Sequence, residues 1–264
     1  MKKKTKRNLL ICGGVLASMA GALAYLGYQM KKHASGEGLP GNDEAFSVKN
    51  TPFEGENVLT GKQIIFLGSS VTYGSAALGE SFVDFLEKRD GVIPYKEAVS
   101  GTTLVDEEVR GKASYIARLK TIDPNFKADA FICQLSTNDA TLRKPLGEVS
   151  EYTAPAFFDT HTVAGALEYV IAYAKNTWNC PVIFYVGTKY RSKQYAKMIE
   201  LLYELQQKWG IGILDLWHDP EMNAVAKNDY KLYMANGIHP TRAGYLKWWT
   251  PKFETYLKAL FARS

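Results

Sequence analysis

The chain has 264 residues, of which 46% are hydrophobic and 22% are charged, and this is typical of a globular protein that can bury one sizeable core. Its net charge of +5 comes from the N-terminus, because residues 1–34 contain seven Lys or Arg residues and no acidic residue. The remaining residues carry 25 basic and 27 acidic side chains. We therefore expect no basic surface for nucleic-acid binding.

Residues 1–32 predict a basic tail followed by a membrane anchor or signal segment. An uncharged run from Leu9 to Met30 follows the basic cluster, and a helix of 22 residues spans about 33 Å, enough to cross a bilayer core. The larger basic cluster precedes the run, so we expect a cytoplasmic N-terminus and a single-pass cell-membrane protein with its remainder outside. Ala22-Leu23-Ala24 resembles a signal-peptidase site, so secretion after cleavage is one alternative and a buried core helix is another.

Residues 33–46 are rich in Gly, Ser, Pro and Asn and predict a linker, and residues 47–264 predict one folded domain. Apolar runs and turn residues predict strands at 62–68, 95–98, 129–135, 181–187 and 211–215. Helical spacing predicts helices at 79–89, 112–120, 161–177, 192–208 and 241–262. Trp248 and Trp249 within the last helix are expected to be packing residues.

The alternation of strands and helices predicts a three-layer α/β/α domain with a mostly parallel, flavodoxin-like sheet of five strands. The runs 130–135 and 182–186 are apolar throughout, as in parallel strands that are covered on both faces. In such sheets ligands bind beyond the carboxyl ends of the strands. The functional residues are therefore sought at those ends.

Metal and cofactor sites have no support in the sequence. The three cysteines form no ligand-spaced set with the four histidines, and Cys133 and Cys180 lie in or beside apolar strands, where they are expected to be buried. The glycine-containing segment 68–74 lacks the Gly-Lys-Ser/Thr ending of a phosphate-binding loop. We expect neither a metal nor a cofactor.

Small polar residues follow the first three predicted strands, and a histidine precedes the last helix. They are Ser69-Ser70, Ser100-Gly101-Thr102, Ser136-Thr137-Asn138-Asp139 and, in the last loop, Asn236-Gly237-Ile238-His239. A serine is a poor nucleophile until a neighbouring base takes its proton, and histidine is the usual base. The pattern therefore favours acyl transfer.

These four segments resemble the sequence blocks of the SGNH (GDSL-type) hydrolase family of esterases and lipases, over roughly residues 60–262. The resemblance implies that Ser70 is the nucleophile, His239 its base, and Asn236 the residue that orients the histidine. It also implies an oxyanion hole formed by the backbone N–H groups of Ser70 and Gly101 and the side-chain amide of Asn138. Fixed donors at such a site stabilise the developing oxyanion by a few kcal/mol each.

Two positions depart from the family pattern. Ser69 stands where the family has an aspartate beside the nucleophile, and Asn236 stands where it has the acid that orients the histidine. An asparagine can accept a hydrogen bond but cannot stabilise imidazolium by charge, and its amide group could donate instead and select the wrong tautomer.

Several explanations of Asn236 remain open from the sequence. A Ser–His dyad could be oriented by a backbone carbonyl, Asp215 or Asp219 could supply the acid, or the domain could be a weakened or inactive hydrolase. Asn236 precedes Gly237, the context in which deamidation to Asp is easiest, so the acid could also form after synthesis.

We therefore expect an extracytoplasmic serine ester hydrolase that removes short acyl groups, acetyl among them, through an acyl-enzyme on Ser70. Its substrate is expected to be an acyl-ester small molecule or an acylated polysaccharide. The alternatives are a glycan- or acyl-binding module on a hydrolase scaffold and an O-acyltransferase.

Overall fold

The computed structural model of the protein describes residues 35–263, and the predicted tail and membrane or signal segment at 1–32 lies outside the described residues. Between residues 35 and 263, no helix has both the length and the apolar character that crossing a bilayer requires.

A five-stranded, all-parallel sheet forms the centre of the domain. Its strands are β1 (Gln63–Gly68), β2 (Ile93–Ala98), β3 (Ala130–Gln134), β4 (Val182–Val186) and β5 (Gly212–Asp215). They are hydrogen-bonded in the order β2-β1-β3-β4-β5, which is the flavodoxin-like order. This confirms the predicted fold class. It also places the carboxyl ends of β1, β2 and β3 side by side.

The helices connect the strands and cover the sheet. They are α1 (Ser70–Tyr73), α2 (Phe82–Asp90), α3 (Tyr115–Leu119), α4 (Thr137–Thr141), α5 (Val163–Trp178), α6 (Lys193–Trp209), α7 (Pro220–Asn223) and α8 (Lys227–Tyr233). The last helical segment begins as α9 (Arg242–Gly244), passes through a π-helical turn (Tyr245–Trp249) and continues as α10 (Thr250–Phe261). The five predicted helices agree with α2, α3, α5, α6 and the α9–α10 segment to within a few residues at each end.

The core has one apolar layer on each face of the sheet, because successive side chains of a strand point to opposite faces. Ile65 and Leu67 pack in the cluster that contains α3, α5 and α6. Ile64 and Phe66 pack in the other cluster, with α2 and the C-terminal helix. Trp249 is fully buried in that second cluster, which confirms its expected packing role.

Residues 35–50 are packed on the domain. They form three short 3₁₀ helices, Pro40–Asn42, Glu44–Phe46 and Val48–Asn50. The buried amide of Asn42 donates to the carbonyl oxygens of Gly36 (2.7 Å) and Ala76 (2.8 Å) and accepts from the backbone N–H of Arg242 (2.8 Å). The described part of the predicted linker is therefore folded, because its Gly, Pro and Asn residues provide tight turns and a buried side-chain anchor.

We predict that Asn42→Ala lowers the free energy of unfolding by about 1–3 kcal/mol, because it leaves a buried backbone N–H at Arg242 without its partner. Urea denaturation measures this difference. Asn50→Ala is the matched control, since the Asn50 amide also donates to a backbone carbonyl, that of Glu44, but at the surface. Equal stability of the two variants would show that the Asn42 contacts do not hold the segment in place.

Candidate active site

The candidate nucleophile lies in a tight turn between β1 and α1. Ser70 is the first residue of α1 and is only 7% exposed, and Ser69 before it is fully buried. Gly68 allows the turn, since a Cβ at this position would lie 1.8 Å from Oγ1 of Thr72. The strand therefore delivers the Ser70 hydroxyl to the carboxyl edge of the sheet.

Gln134, at the end of β3, holds this turn in place. Its Oε1 accepts hydrogen bonds from the backbone N–H groups of Ser69 (3.0 Å) and Thr72 (3.3 Å) and from the Thr72 hydroxyl (2.9 Å). Gln134 is not among the site residues predicted from the sequence. The available signal was a glutamine within an otherwise apolar strand, since a buried polar group needs a partner.

The structure brings His239 into contact with Ser70. The distance between His239 Nε2 and Ser70 Oγ is 2.8 Å. Burial lowers the pKa of His239, so the imidazole stays neutral at neutral pH. A neutral imidazole with Nε2 facing a serine hydroxyl is the arrangement that accepts a proton from it.

Asn236 fixes which nitrogen of His239 carries the proton. Asn236 Oδ1 accepts from the backbone N–H groups of Ile238 and His239, each at 3.0 Å. Only the oxygen of an amide can accept these bonds, so it is also the oxygen that lies 3.1 Å from His239 Nδ1. Nδ1–H therefore donates to Asn236, and Nε2 is left free to accept from Ser70. The geometry thus gives the productive tautomer, although no negative charge supports it.

The acids proposed as substitutes for Asn236 have other partners. Asp215 Oδ2 lies 2.7 Å from Nδ1 of His218, in an Asx-x-x-His turn of the same kind as that of Asn236 and His239. Asp219 caps α7 and forms an ion pair with Lys252 at 2.7 Å. Both alternatives are therefore wrong. A backbone carbonyl is not needed either, because Asn236 Oδ1 occupies the position beside Nδ1 of His239.

The expected oxyanion-hole residues come from the two neighbouring strand ends. Gly101 lies in the exposed turn after β2 with a φ of 84°, a left-handed conformation that favours glycine. Asn138 lies in α4, directly after β3, and its Nδ2 donates to the Thr102 carbonyl (2.8 Å) and, at 3.3 Å, to the Ser69 hydroxyl. Asn138 thus connects the turn after β2 with the turn that carries Ser70.

Asp139, which follows Asn138, holds the loop after β2. Its buried carboxylate accepts from the backbone N–H groups of Leu104 (2.7 Å) and Val105 (3.1 Å). Burial raises the pKa of Asp139, and these backbone hydrogen bonds oppose the increase. The Asn-Asp pair of the third block therefore has two tasks, since Asn138 faces the site and Asp139 supports the loop beside it.

A narrow cavity of about 10 Å³ lies beside these residues. Val71, Thr137 and Ile238, which are the sequence neighbours of Ser70, Asn138 and His239, line it, and so do Gln134 and Tyr185. A space of this size accommodates about one water-sized group. Within residues 35–263, no three His, Cys, Asp or Glu side chains are grouped so that they could hold a metal ion.

The described structure thus brings together Ser70, His239 and Asn236, and it places Asn138 and Gly101 at the two neighbouring strand ends, with Asn138 in contact with Ser69. The catalytic roles of these residues stay predictions. Ser70, His239 and Asn236 form the hydrogen-bonded series that the sequence predicts, at the carboxyl edge of a parallel sheet.

Comparisons with known proteins identify the family. The sequence model of the GDSL-like lipase/acylhydrolase family matches residues 66–247. A solved structure of a protein from Lactobacillus plantarum shares 19% identity and a TM-score of 0.62, over 76% of this chain and 98% of that chain. A member of the lipolytic G-D-S-L family from Veillonella parvula shares 17% identity and a TM-score of 0.55, over 74% and 98% of the two chains. No curated protein matches this chain.

The fold and the matched segment define a hydrolase of the esterase or acylhydrolase class. The chain belongs to the GDSL-like lipase/acylhydrolase family, which confirms the resemblance found in the sequence.

We predict that Asn236→Asp raises the turnover of this hydrolase and moves the acidic limb of its pH–rate profile to higher pH. In the wild type, the limb should lie below the ordinary imidazole pKa of about 6.5, because burial lowers the pKa of His239 and the neutral base persists at lower pH. A carboxylate beside Nδ1 stabilises imidazolium, and about 1.4 kcal/mol of such stabilisation gives about a tenfold higher rate. The measurement is kcat/KM between about pH 4 and 9.

Asn125→Asp, a change of the same charge in an exposed turn, is the control. An unchanged profile in Asn236→Asp would show that His239 is oriented by another group. Peptide mapping of the wild type tests deamidation, because Asn236 and Gly237 are both exposed. Unmodified Asn236 in fully active protein would exclude that alternative.

Proposed function

We propose that this protein is a serine carboxylic-ester hydrolase that removes short acyl groups through an acyl-enzyme on Ser70. The single observation that carries the proposal is the contact between Ser70 Oγ and His239 Nε2 at 2.8 Å, with Asn236 fixing the tautomer. A binding module has no need for a serine hydroxyl aligned with a neutral imidazole whose pKa is lowered by burial.

In the first half of the reaction, His239 Nε2 takes the proton of Ser70 while Ser70 Oγ forms a bond to the ester carbonyl carbon. The carbonyl oxygen becomes negatively charged, and the donors that stabilise it are the N–H groups of Ser70 and Gly101 and one N–H of Asn138. That Asn138 N–H is the one that makes the longer bond, 3.3 Å, to the Ser69 hydroxyl, and it leaves this bond for the oxyanion. His239 then gives its proton to the alcohol oxygen as the bond between that oxygen and the acyl carbon breaks.

In the second half, water attacks the acyl carbon while His239 takes one of its protons. The second oxyanion collapses, the carboxylic acid leaves, and the proton returns to Ser70. A sugar hydroxyl in place of water would make the same chemistry an O-acyl transfer. An esterase and an O-acyltransferase therefore differ in the acceptor of the acyl group, water or a sugar hydroxyl, and use the same catalytic residues.

The narrow cavity supports a short acyl group. The reacting residues do not line it themselves, but their sequence neighbours border it, and its size matches one water-sized group such as an acetyl methyl. The basic and apolar N-terminal sequence supports a single-pass protein whose domain lies outside the cell, or a secreted one. Acetyl esters on small molecules or on extracytoplasmic polysaccharides are then the proposed substrates.

We predict that a fluorophosphonate labels the full-length protein once, and that the label is lost in Ser70→Ala and in His239→Ala. The reason is that only a serine activated by a base reacts rapidly with this electrophile. Intact mass measures the modification. His218→Ala is the matched control, because His218 sits in the same kind of turn beside Asp215 and should leave labelling unchanged. Absence of labelling in the wild type would favour the binding-module alternative.

We predict that kcat/KM falls from p-nitrophenyl acetate to the butyrate and octanoate esters, and that Ile238→Ala raises the butyrate-to-acetate ratio about threefold or more. Ile238 lines the cavity, and its backbone N–H would still donate to Asn236 in the variant. Ile93→Ala, at the exposed start of β2, is the control. A wild type that prefers octanoate would refute the short-acyl proposal. The assignment of Ser70 as the nucleophile would not be affected, because the fluorophosphonate experiment tests it separately.

A further inference from the structure

The turn after β2 carries Gly101, and the direction of its N–H depends on the peptide bond between Ser100 and Gly101. The described chain contains no cis peptide bond, so the carbonyl and the N–H of this peptide point in opposite directions. A side chain that holds the Ser100 carbonyl oxygen therefore also determines where the Gly101 N–H points.

Lys112 is that side chain. Its Nζ donates to the Ser100 carbonyl oxygen at 2.6 Å. The same Nζ lies 3.9 Å from the point that a Cβ on Gly101 would occupy. The ammonium group is thus bonded to one end of the peptide whose other end is the expected oxyanion donor.

The neighbouring carbonyls of this turn are also held by side chains. The Thr102 hydroxyl donates to the Val99 carbonyl at 2.7 Å, and Asn138 Nδ2 donates to the Thr102 carbonyl at 2.8 Å. Thr102 is itself fixed by the buried Arg118, whose Nη2 donates to the Thr102 hydroxyl at 3.0 Å. Lys112 therefore anchors the one peptide of the turn that carries the Gly101 N–H.

A two-residue backbone turn presents Lys112. Val109 and Lys112 exchange two backbone hydrogen bonds, each of 3.1 Å. Between them Arg110 and Gly111 have φ values of 54° and 73°, so both central residues are left-handed, as in a type I′ turn. A non-glycine residue in this conformation costs about 1 kcal/mol or more and persists where the surroundings hold it. The lysine is therefore presented by a defined turn.

The charge of Lys112 also affects donor strength. A hydrogen bond from an ammonium group to a carbonyl is stronger than one between neutral groups. It polarises the peptide and makes the N–H at its other end a better donor. Lys112 can thus influence the oxyanion without touching the substrate.

We propose that Lys112 is a positioning residue for ester hydrolysis, which sets the direction and the donor strength of the Gly101 N–H through the Ser100 carbonyl. This inference rests on the proposed function, because the Gly101 N–H matters only when a tetrahedral oxyanion forms. The negative charge develops in the transition state, so loss of Lys112 lowers kcat and leaves KM nearly unchanged.

The test is Lys112→Met in the full-length protein, assayed with p-nitrophenyl acetate. The expected result is a fall in kcat of about tenfold with KM within about twofold, less than the loss of about 10²–10³ when an oxyanion donor is removed outright. Inhibition by a trifluoromethyl ketone, which forms a tetrahedral oxyanion adduct with serine, should weaken by the same factor. Lys112→Arg should restore most of kcat, because a guanidinium group also donates to a carbonyl.

Arg110→Met is the matched control, since it removes an exposed cation from the same turn, and it should retain wild-type kcat. Unchanged kcat in Lys112→Met, or a loss of kcat that Lys112→Arg does not restore, would overturn the role of Lys112. The proposed function would still stand in that case, provided that the wild type hydrolyses the ester. If the Met variant does not fold, Lys112→Gln, a neutral donor, should show an intermediate kcat. A wild type that neither hydrolyses the ester nor reacts with fluorophosphonate would overturn both proposals.

Discussion

The hydrogen bond between His239 Nε2 and Ser70 Oγ is the contact on which the site depends, and it joins residues 169 positions apart in the sequence. The fold makes this contact by two routes that meet at the carboxyl edge of the sheet. Strand β1 leads directly into the Ser70 turn, and the chain beyond β5 returns through α7 and α8 to the loop of His239. Parallel strands alone could not bring the histidine there, because β5 lies three strands away from β1.

Buried polar side chains fix the turns at the carboxyl edge of the sheet. Gln134 fixes the backbone of the Ser70 turn, and Asp139 fixes the loop after β2. The buried guanidinium of Arg118 connects the two, because its Nη2 donates to the Gly68 carbonyl at 2.9 Å and to the Thr102 hydroxyl at 3.0 Å. None of these three side chains is expected to react. They hold Ser70 and the predicted oxyanion donors in position, which is how an active site avoids reorganisation during a reaction.

The sequence predicted the sheet and the long helices because their signals are local. Apolar runs such as Ile64–Leu67 and the amphipathic spacing of α6 report burial directly. The short helices α1, α4, α7 and α8 were not predicted, because one or two turns repeat the helical period too few times to show a pattern and depend on tertiary contacts. The equally short α3 was predicted only as part of the longer segment 112–120. The same reason applies to residues 35–46, where a composition typical of linkers forms turns that Asn42 anchors to Ala76 and Arg242.

Site residues such as Ser70 and His239 were predictable, because their residue types alone suggest a nucleophile and a base. Residues whose role depends on the orientation of a side chain were harder to predict. The residue type at position 236 suggested a defect or a substitute acid elsewhere. The structure shows instead that two backbone N–H groups turn the Asn236 oxygen towards His239. Lys112 gave no sequence signal of its own, since it acts through a backbone carbonyl that folding brings to it. Gln134 gave only the signal of a polar residue in an apolar strand, and its backbone partners become visible only in the structure.

An asparagine at position 236 changes the pKa of His239 and the stability of its protonated form, but it leaves a histidine that can act as a base. A carboxylate would stabilise imidazolium in the transition state, but it would also raise the pKa of the resting histidine and protonate it at mildly acidic pH. With Asn236, burial lowers the pKa of His239 without an opposing charge, so the base stays neutral further into the acidic range. It is then intrinsically weaker, because a base of lower pKa has less driving force for proton transfer. The proposed site therefore gives up rate at neutral pH and keeps its working protonation state under acidic conditions.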